Sequence, residues 1–295
     1  MRSPGKRYLS GLLAGLLTLS STLLLADASI WRVTGSGGSE LFLAGTVHLL
    51  RPQDLPLPDA YDIAYAQADA LVFETDLATL MNPATQLLLA RYLQAPDGQR
   101  ISDRVTPGTW EALSDFARSR GLAPEMLDML RPGGVVLTLL GVEMARLGAT
   151  EEGVDLQLYR RAAVDEKPTS GLEPLEQHLG YLIGMGAEDA DAFLRQMIEE
   201  FESSESLLSP LIAAWRAGDE AELERLLVDE LQGYPPVYEQ LLVERNALWW
   251  PTLQALVASG PTELVLVGAA HLVGPDGLLQ MLRDEQGVSV ELFRP

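Results

Sequence analysis

The sequence predicts a mixed α/β protein in which a central β-sheet carries a large, mostly helical insertion. Three observations lead there. Short apolar runs that read as buried strands cluster near both ends of the chain. From about residue 77 to 246 the apolar residues recur instead at three- and four-residue spacing, the period of a helix. Two strand runs also belong to one repeated phrase: ELFLAGTVHLL at 40–50 and ELVLVGAAHLV at 263–273 share Glu, Leu, Leu, Gly, His and Leu at matched positions.

Taken in order, residues 1–28 stand apart from that body. Arg2, Lys6 and Arg7 precede an apolar stretch from Leu9 to Leu25, and Ala26-Asp27-Ala28 forms an Ala-x-Ala cleavage site, so a secretory signal peptide is expected. The alternative is an uncleaved N-terminal anchor, with a stretch at the short end for a span. No Cys follows the apolar run, which excludes a lipoprotein anchor. The mature domain, 29–295, is then expected in the periplasm or outside the cell, without a stable membrane span.

Residues 29–33 and 40–47 read as strands joined by the hairpin glycines of Gly35-Ser36-Gly37-Gly38. A proline-marked loop at 51–58 leads into a helix at 59–67. The next apolar run, 70–76, ends in the acids Glu74 and Asp76. If it runs parallel to the preceding strand, those acids reach the same sheet end as His48. Helical patterns follow at 81–92, 107–120, 124–129, 135–147, 188–203, 207–217, 220–231 and 236–256, several opened by good start signals such as Thr106-Pro107 and Asp219-Glu220. A short strand is expected within 166–173, ending at Glu173. The sheet resumes at 262–268 and closes at 288–293.

Composition removes several classes of function. The 295 residues carry a net charge of −21, and loss of residues 1–28 leaves 18 Lys and Arg against 41 Asp and Glu. Such a surface repels nucleic acid and anionic lipid. With no cysteine there are neither disulfides nor thiolate chemistry. An apolar fraction of 47 % supports a sizeable core.

Histidine is rare, at three per chain. Two of the three, His48 and His271, close the repeated phrase as Gly-x-x-His at the C-terminal end of a strand, where α/β proteins place their chemistry. With the strand-end Glu74 they form two imidazoles and a carboxylate, a ligand set for a divalent transition metal such as Zn, Mn or Co. Glu74 would be either the third ligand or the general base. The glycine three residues before each histidine permits close backbone approach beneath the site, or a bulge that re-aims the ring. Asp76 reads better as a helix cap, and His178, alone on a helix, reads as structural.

Arg245 sits among strongly apolar neighbours, from Leu241 to Val243 and from Leu248 to Trp250. It either points to solvent, or orients Glu74 or a substrate carboxylate, with Asn246 donating to an oxyanion. Asp155 and Glu173 are further acids that would support the site.

Together these features resemble the TraB/GumN/PrgY family, whose animal relatives include the Tiki membrane proteases. The match runs through Gly45 to His48, Phe-Glu-Thr-Asp at Glu74, Glu-Glu-Gly-Val-Asp at 151–155, Gly-Leu-Glu at 171–173, Glu-Arg-Asn at 244–246 and the closing phrase at 267–278. The resemblance implies a fold related to the erythromycin esterase and ChaN-like proteins. It also implies a metal-dependent peptidase site built from His48, Glu74 and His271, with Arg245 and Asn246 in support. The expected activity is thus an exported, metal-dependent hydrolase acting on a peptide or small molecule. Its rivals are a metal-free, esterase-like hydrolase using His48 and Glu74, and a non-catalytic protein that captures a peptide or haem-like ligand.

Overall fold

The computed structural model describes residues 28–150 and 152–295. The expected signal segment, up to its last alanine, and Glu151 of the Glu-Glu-Gly-Val-Asp motif lie outside the described residues. Six strands form one mixed sheet: β1 (Ile30–Thr34), β2 (Glu40–Thr46), β3 (Ala70–Thr75), β4 (Thr169–Glu173), β5 (Glu263–Gly268) and β6 (Ser289–Leu292). Their order across the sheet is β4-β3-β5-β2-β1-β6. The first four are parallel, while β1 runs antiparallel to both β2 and β6. Glu173, Glu74, His271 and His48 thus come from four adjacent strand ends that all face the same way.

The central strands are buried on both faces, as their unbroken apolar runs require: Leu41 to Ala44 and Leu264 to Val267 are each at most 1 % exposed. Among the described residues the core extends from the sheet to Tyr61, Trp215 and Trp249 and stands apart from a second apolar cluster, around Phe116, Phe193 and Phe201, inside the helical region.

Most expected elements form where the patterns place them, with several differences, among them an unexpected helix at Leu278–Asp284 and a π-helical turn at Glu224–Val228 within the helix expected at 220–231. The helices expected at 188–203 and 207–217 are one, Ala190–Ala217, capped at its start by the Asp189 side chain and stopped at its end by Gly218 with φ 62°. Helix Val154–Val164 forms where no helical pattern stood out. The expected helix at 236–256 spans Pro235 to Val257 but passes through a wider π-helical turn at Glu239–Val243, immediately before Arg245. The insertion is also not an isolated helical body, because its short strand β4 completes the sheet edge beside β3. No helix among the described residues is long and apolar enough to cross a membrane.

Candidate active site

The two halves of the repeated phrase are neighbours, since β2 and β5 pair in parallel. They pair one residue out of the repeat's own alignment, with Gly45 opposite Val267 and Thr46 opposite Gly268. Each glycine therefore makes room for the other's histidine. A Cβ on Gly45 would lie 3.0 Å from Leu272 and 3.4 Å from the Ala269 backbone, the turn that carries His271. A Cβ on Gly268 would lie 3.2 Å from Glu74 Oε1 and 3.4 Å from His48 Nε2. Close approach beneath the site, rather than a bulge, is the packing that results.

Beyond the strands the phrases diverge. His271 sits in a 3-10 turn (Ala269–His271), 4 % exposed, its ring centroid 4.4 Å from that of Trp249. His48 stands in a loop with its side chain 61 % exposed to the cleft. That loop is clamped by the segment opposite: Thr150 N–H donates to the Leu50 carbonyl at 2.9 Å and Val154 N–H to the Val47 carbonyl at 3.0 Å. Gly153 makes the clamp possible, because any Cβ there would collide with the His48 carbonyl. Two residues later Asp155 accepts a 2.8 Å hydrogen bond from His48 Nδ1. The carboxylate raises the pKa of the imidazole to about 9.

Glu74 lies between the two rings. Its Oε1 accepts the Gly268 N–H at 2.7 Å and is 4.0 Å from the Nε2 atoms of both His48 and His271. Its Oε2 is held by Arg245 Nη2 at 2.6 Å. Burial, the largest single influence, pushes the Glu74 carboxyl upward, but the Arg245 guanidinium and the surrounding imidazoles together outweigh it and hold the pKa well below the ordinary range, so the group is ionised.

Arg245 is 5 % exposed and does not reach solvent. It donates to Glu173 from Nη2 at 2.7 Å and from Nε at 3.2 Å, and to His271 Nε2 from Nη1 at 3.0 Å. With a carboxylate on each side it orients Glu74 and has no freedom to hold a substrate carboxylate. Asn246 corrects a second expectation. Its Nδ2 donates to the carbonyls of His271 and Asp276, at 3.1 and 2.8 Å, and its Oδ1 accepts from His271 Nδ1 at 2.8 Å. Both amide hydrogens are committed, so none remains for an oxyanion. Asn246 instead sets the tautomer of His271, whose buried ring is neutral, its pKa lowered to about 3 chiefly by desolvation.

His178 also departs from its structural reading. It accompanies Glu173, donating from Nδ1 to Oε1 at 2.7 Å, while the Trp249 indole N–H donates to Oε2 at 2.9 Å. The signal available was rarity: all three histidines of the chain meet at this one site. Asp76 lies outside it, capping a short helix by accepting the Ala78 N–H at 3.0 Å.

Whether this donor set fits a divalent metal is decided by its lone pairs. Zinc bonds near 2.1 Å place neighbouring ligand atoms about 3.4 Å apart, and His48 Nε2 and Glu74 Oε1 at 4.0 Å come close to that. His271 does not complete the set, because its Nε2 lone pair accepts from Arg245. A different trio is compact enough for one cation: Glu74, Glu173 and His178 offer ligand atoms within 4.8 Å of one another. Arg245 Nη2 touches all three, at 2.6, 2.7 and 3.3 Å. A guanidinium thus already holds the position a metal ion would take, and in this arrangement the residues do not fit a metal.

The family model for the TraB/PrgY/gumN family matches residues 29–292. The chain is 25 % identical over 252 residues to the uncharacterized protein YbaP of Escherichia coli (strain K12), covering 85 % of this chain and 90 % of that one. A YbaP from Shigella flexneri matches to the same extent. No solved structure matches. His48, Glu74 and His271 all lie within the matched residues 29–292, and this protein belongs to the TraB/PrgY/gumN family.

Proposed function

We propose that the protein is an exported hydrolase of acyl bonds, esters or amides, in which His48 and Glu74 hold the attacking water between them. The gap between His48 Nε2 and Glu74 Oε1 carries the proposal. A water forming hydrogen bonds of about 2.8 Å to both atoms spans 4.0 Å at an angle near 90°. The ionised Glu74 accepts one of its hydrogens and orients it. His48, fixed by Asp155 and in its deprotonated form, whose fraction grows as pH approaches about 9, takes the other as the oxygen attacks the carbonyl carbon, then returns that proton to the leaving group. Export rests on the basic, apolar and Ala-x-Ala features of residues 1–28.

The test is turnover of an ester and amide panel by the mature protein. His48→Ala and Glu74→Gln should each lower kcat/KM by about 10²–10⁴. The His48→Ala protein should stay folded, since the ring is largely exposed, and lose only the stability that its bond to Asp155 contributes. Undiminished turnover by both variants would sink the assignment, and ligand binding without turnover would favour a capture protein.

A metal-dependent peptidase, as the family resemblance implies, is the second reading. It is supported by the two ring nitrogens that face one carboxylate oxygen at 4.0 Å, and it requires the bond between Arg245 and His271 to open. Exhaustive chelation separates the two: retained activity favours water activation by His48 and Glu74, and activity restored only by a divalent ion favours the metal.

A further inference from the structure

Above the site the cleft opens to about 700 Å³. Every ionisable side chain that lines it, His48, Glu74, Asp155, His178, Arg245 and His271, belongs to the floor already described. The remaining surface is mostly aliphatic, with thirteen leucines and two methionines; Phe73 adds one benzene ring, and the lining hydroxyls are those of Thr46 and Thr75, at the ends of β2 and β3. All of these leucines except Leu49 project from helices, Leu140, Leu208, Leu211, Leu227 and Leu242 among them. Inside a helix the backbone N–H and C=O groups are bonded to one another and offer little to a ligand, the last turn around Leu182 excepted. The aliphatic lining continues to the mouth, where Met81 and Leu140 are 43 % and 37 % exposed.

Resting on the hydrolase reading above, we propose that the substrate is a neutral ester or amide of a long aliphatic acyl chain. Its methylenes lie along the leucine walls and its carbonyl carbon meets the water between His48 and Glu74. A peptide of the same length brings two hydrogen-bonding groups per residue, and each one left unpaired against such walls costs about 1–3 kcal/mol. An acyl chain brings a single polar group, at the end that reaches the floor. Charge excludes an anionic head: two buried carboxylates flank one guanidinium below the cleft, and the whole chain carries −21. In the reaction a bond forms from the water oxygen to the acyl carbon and the bond from that carbon to the leaving oxygen or nitrogen breaks. The proton passes through His48 to the leaving group, giving a fatty acid and an alcohol or amine.

Two measurements on the mature protein test the proposal. In the first, kcat/KM is followed over acetyl, butyryl, octanoyl and dodecanoyl p-nitrophenyl esters, beside a leucine-rich peptide p-nitroanilide. It should rise by about threefold to fourfold per methylene, from ~0.8 kcal/mol of burial each, and the peptide should lag the octanoyl ester. In the second, butyl, octyl and dodecyl trifluoromethyl ketones are bound to the His48→Ala protein, which has lost the base, and affinity should again climb with chain length. Leu140→Glu and Leu182→Gln, on two helices that line the cleft, should flatten both series. A flat series in both measurements, or a peptide substrate equal to the octanoyl ester, overturns the acyl-chain assignment while leaving a hydrolase. Length-dependent binding with no ester turnover upholds the assignment and removes the hydrolase.

Discussion

Replacing Arg245 by Met keeps the length and apolar bulk of the side chain and removes its charge. Bonds to Glu74 at 2.6 Å, Glu173 at 2.7 Å and His271 at 3.0 Å are lost, and two carboxylates that are 8 % and 4 % exposed remain without a cation. Breaking a buried ion pair by removing one partner costs about 3–5 kcal/mol. Two stranded charges argue for more, but Gly268, His178 and Trp249 still donate to the carboxylates, so that range stands for the whole substitution. In a domain of this size it corresponds to a fall of roughly 10 °C in Tm. The pH dependence separates a charge effect from a packing effect. In the wild type both carboxyls titrate below their ordinary values, so their contribution is present above about pH 4.5 and lost as pH falls through the depressed pKa values. In the variant burial, the largest single influence on both groups, outweighs the donors that remain and raises them, so stability rises as acid neutralises them. Urea unfolding at pH 7.5 and pH 5 should therefore show a gap between wild type and variant that narrows on acidification. A gap below about 1 kcal/mol at neutral pH, or one that widens in acid, would refute the claim that Arg245 is the internal cation of the site.

The pH–rate profile should carry the signature of Asp155. With His48 raised to about 9, kcat/KM should climb with pH until about 9, and Asp155→Asn should move that limb down toward 6.5; an unmoved limb would dissociate the two residues. By linkage, the stabilisation His48 gains from Asp155 is complete below pH 6.5 and lost as pH rises through about 9, which unfolding across that window measures. Gly268→Ala should leave the fold intact, because φ −50° and ψ 136° suit alanine, yet its methyl would stand 3.2 Å from Glu74 Oε1 and 3.4 Å from His48 Nε2, where the water belongs. Turnover should drop about 10²-fold with little change in Tm, and wild-type turnover would move the water elsewhere.

Much of the architecture was legible because its signals are local. Unbroken apolar runs located β2, β3 and β5, and the acid or histidine ending each one marked the sheet end at which His48, Glu74 and His271 gather. The Gly-x-x-His repeat pointed to two adjacent strands, and β2 and β5 pair directly. Helix Val154–Val164 escaped notice because its polar residues blur the helical period. The division of labour between the two histidines was not legible either. Their phrases share six matched residues, the histidine included, yet one ring is open to the cleft and the other is buried against Trp249. Asn246 read as an oxyanion donor only until its two amide hydrogens were traced to backbone carbonyls.

By itself the sequence determined the strands, the sheet end that carries His48, Glu74 and His271, and the family, since hydrophobic period and motif spacing are properties of neighbouring residues. Which group meets which was decided by the tertiary structure alone. Asp155 reaches His48 across 107 positions and Arg245 reaches Glu74 across 171, each from a helix whose docking on the sheet depends on the whole core. Charge pairing acts through space and leaves no period in the chain, so the guanidinium held between Glu74 and Glu173, and the leucine walls drawn together from separate helices, become visible only once the chain has folded.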